Sequence, residues 1–359
     1  MMKHADGQTG GIIQKYRSRL PVPRDARLIH INEGNTPLVY LPFLSDEVRN
    51  IRVYAKCEGL NPTGSFKDRG MTVAMTMAVH QSSRAVICAS TGNTSASAAA
   101  YAARAGITAF VVIPDGKIAL GKLAQAMMHG AKVIQIDGDF DAAMEMVKRM
   151  PEEADVALVN SVNPFRLQGQ KTAAFEIVDF LERAPDYHYL PVGNAGNISA
   201  YWMGYGEYAD SELTTSRPRM VGCQAAGAAP FLRGQPIDNP ETIATAIRIG
   251  NPQSWSLAQA AVEESGGWFG AATDGEILKN QKKLADRSGI FCEPASAVSV
   301  AVLQADLADG KVSDNSLIIC TLTGHGLKDP NVAIQQSPDP FRLSDRPGQL
   351  REFILKLVD

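Results

Sequence analysis

No pair among the five cysteines sits at metal-ligand or redox spacing: Cys57, Cys88, Cys223, Cys292 and Cys320 are odd in number and far apart. That scatter argues against a disulfide framework and a zinc site, so no metal is expected and a reducing cytoplasm fits. The sequence also lacks a surplus of positive charge. A formal net charge of -3 leaves no basic footprint for neutralising phosphate backbones, which speaks against a nucleic-acid partner. No stretch reaches the roughly 18 uninterrupted apolar residues of a membrane span, so no membrane role is expected. The segment Met1–Leu20, with His4, Lys15, Arg17 and Arg19, has no continuous apolar run or small-residue cleavage site, so it does not read as a secretory leader.

What the sequence does have is a globular composition. Hydrophobic residues make up 45% and charged residues 20%, which sets disorder and fibrous classes aside. At 359 residues the chain is long enough for roughly two cores.

Short apolar runs at Arg52–Cys57, Ala85–Cys88, Ala109–Ile113, Lys132–Ile136, Ala157–Val159 and Tyr187–Pro191 read as strands separated by helix-length segments. That alternation predicts an α/β fold with right-handed crossovers: two lobes, each a mostly parallel twisted sheet covered by helices. Ligands in such folds gather at the carboxyl ends of strands. Residues 58–150 are expected to form a small mobile lobe, with residues 1–57 and 151–359 forming a larger one. The joint is placed near Met150–Asp155, where Pro151, Glu152, Glu153 and Asp155 cluster. The Ala-rich stretch Ala96–Ala105 reads as a tightly packed helix, and Leu350–Leu357 as a short amphipathic one.

Four segments carry chemistry. In Asn61-Pro62-Thr63-Gly64-Ser65-Phe66-Lys67-Asp68-Arg69, Thr63 or Ser65 is expected to cap a helix that has Lys67 in its first turn. The helix dipole disfavours a cation there, and a Schiff base to a cofactor aldehyde would remove the conflict. A plain surface lysine paired with Asp68 or Glu58 is the competing reading.

The second segment, Pro191–Asn197, follows an apparent strand and precedes the helical stretch Ile198–Tyr208. Gly193 and Gly196 permit close backbone approach, so Gly193, Asn194, Ala195, Gly196 and Asn197 suit a phosphate cradle; an ordinary tight turn is the alternative. It matches neither the GxGxxG fingerprint nor the GxxxxGK[ST] loop. The third, Ser90-Thr91-Gly92-Asn93-Thr94-Ser95, offers hydroxyls and amides to a substrate carboxylate, with Asn93 able to bond a ring hydroxyl; helix capping alone would also explain Ser90, Thr91 and Thr94. In the fourth, Cys320–Gly326, a neutral hydroxyl at Thr323 facing a pyridine nitrogen would leave it largely unprotonated. His325, between glycines, reads as structural rather than as a base.

Together these segments resemble the threonine synthases among the fold-type-II pyridoxal-phosphate enzymes, the tryptophan synthase β-like group. The similarity runs from Glu33-Gly34-Asn35-Thr36-Pro37-Leu38 to Gly324-His325-Gly326-Leu327-Lys328-Asp329-Pro330. The resemblance implies pyridoxal 5'-phosphate held covalently by Lys67, with Asn93 on its phenolic oxygen, Gly193 to Asn197 on its phosphate and Thr323 at its ring nitrogen. It places the cofactor in the larger lobe. The implied reaction turns O-phospho-L-homoserine and water into L-threonine and phosphate. That chemistry needs a second phosphate site, and the resemblance gives it to Thr94, Asn160, Ser161, Arg166 and Asn194, with Ser90 and Thr91 also on the substrate. It further implies a homodimer, and Ile12–Arg17 resembles the short form without regulation by S-adenosylmethionine. The nearest alternatives are a threonine or serine dehydratase or a cysteine synthase, which hold no substrate phosphate. A non-catalytic nucleotide-binding module is the rival from another class.

Overall fold

Residues alternate between two apolar layers along most of the strands, and that alternation sets the architecture. The structure, a computed structural model, describes residues 10–115, 120–138 and 140–358. Met1–Thr9, part of the segment read for a leader, lie outside the described residues. The strands are β1 (Leu38–Tyr40), β2 (Arg52–Cys57), β3 (Ala85–Ala89), β4 (Thr108–Pro114), β5 (Lys132–Ile136), β6 (Val156–Leu158), β7 (Tyr187–Pro191), β8 (Arg219–Ala225), β9 (Trp268–Ala272) and β10 (Leu317–Leu322). They form a six-stranded sheet ordered β1-β2-β10-β7-β8-β9 and a four-stranded sheet ordered β5-β4-β3-β6. Among the described residues, only the β1–β2 strand pair is antiparallel. The expected α/β fold of two mostly parallel sheets is what the chain adopts.

In β10, Ile318 and Cys320 enter one core and Ile319 enters the opposite one, so the larger sheet is buried on both faces. The smaller sheet repeats the pattern: Val86 and Cys88 go to one side, Ile87 and Ala89 to the other. Strands covered on both faces need continuous apolar sequence, which is why β3 and β7 were readable as runs.

The boundary near Met150–Asp155 needs correction. β6 pairs with β3, Ala85 opposite Val156 and Ile87 opposite Leu158, so the four-stranded sheet extends past residue 150. The polar cluster that suggested a joint is the solvent-exposed end of the helix Phe140–Glu153, which carries Pro151 inside it and leads into β6.

A buried charge cluster ties the start of the helix Lys67–His80 to the larger sheet. The Arg69 guanidinium donates to Glu58 at 2.7 and 2.8 Å and to Glu176 at 2.9 and 2.6 Å, while the Lys56 ammonium donates to Glu176 at 2.7 Å. Opposite charges this close offset one another's loss of water, and the lysine two residues before Arg69 is thereby fixed in place. Among the described residues no helix is long and apolar enough to cross a membrane.

Candidate active site

Each predicted site segment follows a strand at its carboxyl end: Ser90–Thr94 after β3, Asn160–Ser161 after β6, Gly193–Asn197 after β7 and Thr323 after β10. The two sheets therefore contribute their loops to one cleft, as parallel α/β sheets do.

Lys67 opens its helix with Phe66 as N-cap, and no side chain caps it. The expected cap from Thr63 or Ser65 is not formed. Thr63 instead gives its backbone N–H and hydroxyl to Asp68 at 2.7 and 2.5 Å, and Ser97 adds a third bond at 2.6 Å. An acid in the first turn here receives donors rather than the helix end receiving an acceptor. Burial pushes the Asp68 carboxyl up to about 6 against the pull of these hydroxyls.

The lysine loop is anchored to the end of β10. Phe66 N–H donates to the Thr323 carbonyl at 3.0 Å, and His325 N–H donates to the Gly64 carbonyl at 2.9 Å. His325 Nδ1 accepts from Leu327 N–H at 3.2 Å.

Neither surface partner considered for Lys67 holds it. Glu58 is engaged by Arg69, Thr36 and Asn61, and Asp68 by Thr63 and Ser97. The Lys67 amine lies 4.1 Å from the Phe66 ring centroid. Burial, then the nearby Arg166 cation, bring it down to about 7, with Glu293 acting the other way. A large fraction of neutral amine at physiological pH is what a nucleophile toward an aldehyde requires.

Arg166 reaches the cleft through a close helix crossing. A Cβ on Gly169 would fall 1.8 Å from the Arg69 carbonyl oxygen, and one on Gly70 would fall 2.8 Å from the Arg166 carbonyl oxygen. Only glycine lets the helices Lys67–His80 and Pro164–Gln170 approach so far. Arg166 is 1% exposed and donates through Nη1 to the Val159 carbonyl at 3.2 Å, but its Nε and Nη2 have no hydrogen-bond partner. It does not pair with Glu176, which Arg69 and Lys56 occupy. An unmatched guanidinium edge in a buried site is costly unless an anion completes it.

The remaining predicted residues divide. Asn194 Nδ2 donates to Ser161 Oγ at 2.9 Å, and Asn194 Oδ1 accepts from Gln253 N–H at 3.1 Å, so Ser161 and Asn194 are held together. Asn160 is spent largely on backbone: its amide group gives to the Ala89 carbonyl and takes from the Ala89 N–H, both at 2.9 Å. One Asn160 hydrogen is left for a ligand. Ala195 sits in the left-handed region, φ 69, and Gly196 starts the helix Gly196–Asp210. Asn197 is buried with both Oδ1 and Nδ2 unpartnered. This turn directs amides and a helix N-terminus at one point, an arrangement suited to a phosphate. Ser90 accepts from Gly92 N–H at 3.2 Å within the turn, and no side chain caps the helix that follows. Asn93 begins the helix Asn93–Ala105, with Thr91 and Thr94 on either side of the turn.

Sequence inspection missed two residues. Glu293 is buried and accepts from Asn93 Nδ2 at 3.2 and 3.4 Å and from Thr323 Oγ1 at 3.4 Å. Ser296 shares a 3.1 Å hydrogen bond with Thr323. The available signal was Glu293 at a helix N-cap before Pro294, a place where a short polar side chain is usual.

The orphaned Asn197 and Arg166 atoms, the depressed Lys67 amine and the anion turn fit a phosphorylated aldehyde, with a second anion beside it. Comparison with known proteins agrees. The family described as "Pyridoxal-phosphate dependent enzyme" matches residues 29–324. A threonine synthase of Mycobacterium bovis is 58% identical over 329 residues, 91% of each chain. One of Synechocystis sp. is 55% identical over 340 residues, 94% of this chain and 88% of that one. The solved structure of maize serine racemase superposes with a TM-score of 0.70 at 22% identity, covering 90% of this chain and 93% of the other, which shows a shared fold. The chain belongs to the pyridoxal-phosphate dependent enzymes and, within them, to the threonine synthases.

Proposed function

We propose that the cleft converts O-phospho-L-homoserine and water into L-threonine and phosphate. The observation that carries this reading is Arg166: a buried guanidinium beside Lys67 with Nε and Nη2 unpartnered. A dehydratase or cysteine synthase has no phosphate ester to fill such a position.

Pyridoxal phosphate, when bound, supplies an electron sink for the charge left by C–H cleavage. Lys67 would hold it and, once freed, would shuttle protons one at a time on Nζ: it takes the α-proton and gives it up before taking a β-proton, returns a proton to Cγ after the phosphate departs, and returns one to Cα after water has added at Cβ. A lysine near 7 suits both directions of transfer. Arg166, with Ser161, Asn194 and the free Asn160 hydrogen, holds the leaving phosphate dianion through charge-assisted bonds. Ser90, Thr91 and Thr94 take the substrate carboxylate and the near edge of its phosphate. Gly193 to Asn197 take the cofactor phosphate, Asn93 the phenolic oxygen and Thr323 the ring nitrogen. Closure of the lobe built on the four-stranded sheet would exclude bulk water until addition at Cβ.

The same reading puts the enzyme in the cytoplasm as a homodimer. Five free, buried cysteines support a reducing compartment, and the exposed apolar residues Ile354, Leu357 and Val358 support an oligomer.

The test is release of threonine and phosphate from O-phospho-L-homoserine by wild type and K67A, with absorbance scanned between roughly 400 and 430 nm, where a protein-bound imine absorbs. Equal amounts of both products, with band and turnover lost in K67A, are expected. A wild type that shows the band but leaves the phosphate ester intact would shift the reading to a dehydratase or cysteine synthase.

A further inference from the structure

Glu293 occupies the cleft without a role in the reaction described so far. It precedes Pro294 at the start of the helix Pro294–Ala308, and its backbone N–H donates to the Gly324 carbonyl at 3.0 Å. Room for its carboxyl is made by glycine, since a Cβ at Gly324 would fall 2.4 Å from Oε1. Its two oxygens face Asn93 Nδ2 from across the cleft and Thr323 Oγ1 from the adjoining loop. The cations facing it are Lys67 and Lys328.

We propose that Glu293 is a positioning residue that fixes which end of the Asn93 amide meets the cofactor ring. The inference rests on the reading that Asn93 lies against the phenolic oxygen. Both Glu293 oxygens accept from Asn93 Nδ2, so the carboxyl holds the NH2 end of the amide. One amide hydrogen goes to Glu293, and the second is left to point at the phenolic oxygen. The amide carbonyl, which would repel an oxyanion, is turned away. Without Glu293 the amide is free to rotate, because its two ends occupy nearly the same volume. Burial holds the Glu293 carboxyl above the usual carboxylate range, while the Asn93 and Thr323 donors and the Lys328 and Lys67 cations pull it down. Thr323, sharing its hydroxyl with Glu293 and Ser296, is held in the same network.

A double-mutant cycle tests the proposal, read by the affinity of apoenzyme for pyridoxal phosphate and by the position of its absorption band. Circular dichroism confirms that each variant is folded. E293L is expected to weaken cofactor binding about tenfold and move the band, while E293Q, which keeps one acceptor for the amide, stays within about threefold. In an N93A background E293L should change affinity by less than about twofold, because the group it acts through is gone. Equal losses in both backgrounds would overturn the proposal, as would an E293L protein with unchanged band and affinity beside a perturbed N93A. A silent N93A would overturn the placement of Asn93 and the proposal with it. Should E293L not fold, the cycle is run with E293A, whose loss of affinity and band shift must vanish in N93A.

Discussion

The rate at which apoenzyme captures pyridoxal phosphate should titrate with Lys67. An amine near 10.5 is neutral in about one molecule in three thousand at pH 7, whereas one near 7 is neutral in about half. Only the neutral form attacks an aldehyde, so the buried setting accelerates capture at pH 7 by about a thousandfold over a free lysine, other factors being equal. Stopped-flow mixing of apoenzyme with cofactor, followed between roughly 400 and 430 nm, measures this directly. The rate should climb about tenfold per unit below pH 7 and flatten above it. R166M supplies the second arm. Losing a neighbouring cation favours protonation of the amine, so the midpoint should move up, yet stay below 10.5 because burial is the larger cause. A rate that keeps rising toward pH 10, or a midpoint unmoved in R166M, would refute the reasoning. The sign for stability follows from the same depression. Between about 7 and 10.5 the unfolded chain binds the proton that the native chain refuses, so this group makes apoenzyme stability rise with pH across that window.

Two further outcomes concern the scaffold that places the lysine. R69M strands the Glu58 and Glu176 carboxylates in the interior with only Lys56 to answer them, and urea unfolding should show a loss of about 3–5 kcal/mol; a loss below about 1 kcal/mol would mean that the charges are not buried as described. G169A puts a methyl into the Arg69 carbonyl, so it should cost about 1–3 kcal/mol and weaken phosphate-ester binding together with stability, since the helix carrying Arg166 must move. Urea unfolding and KM for the substrate, measured on one preparation, check it; unchanged KM alongside lost stability would separate Arg166 from that crossing.

The sequence revealed the strands that are apolar on both faces, because burial in a parallel sheet leaves no polar alternation to confuse the reading. β8 was missed since Gly222 and Gln224 break its run, and β9 since Gly270 cuts its apolar run short after Trp268 and Phe269. The chain turns at Gly266, φ 64, just before β9 begins. Trp255 stacks on Phe231 at 4.4 Å. Lys67 and the Gly193–Asn197 loop were legible because local turn chemistry marks them. Glu293 was not, because its meaning depends on Asn93, two hundred residues earlier in the chain. Likewise, the partners of Arg69 could not be told from surface pairs until Lys56, Glu58 and Glu176 were seen buried together.

The pairing of β2 with β10, Arg52 opposite Leu317 through Cys57 opposite Leu322, bears on how the polypeptide emerges during synthesis. β2 and β7 are finished early, yet the strand that separates them is among the last made. Until then both present open backbone to whatever strand arrives first, a state that invites misassociation. A frameshift or early stop anywhere before Leu322 therefore leaves not a slightly weaker enzyme but a sheet with a missing middle. The slot that holds Lys67 in place, built by Thr323 and His325, is completed at the same moment. Cofactor capture by a nascent chain thus reports that its last long-range strand has docked.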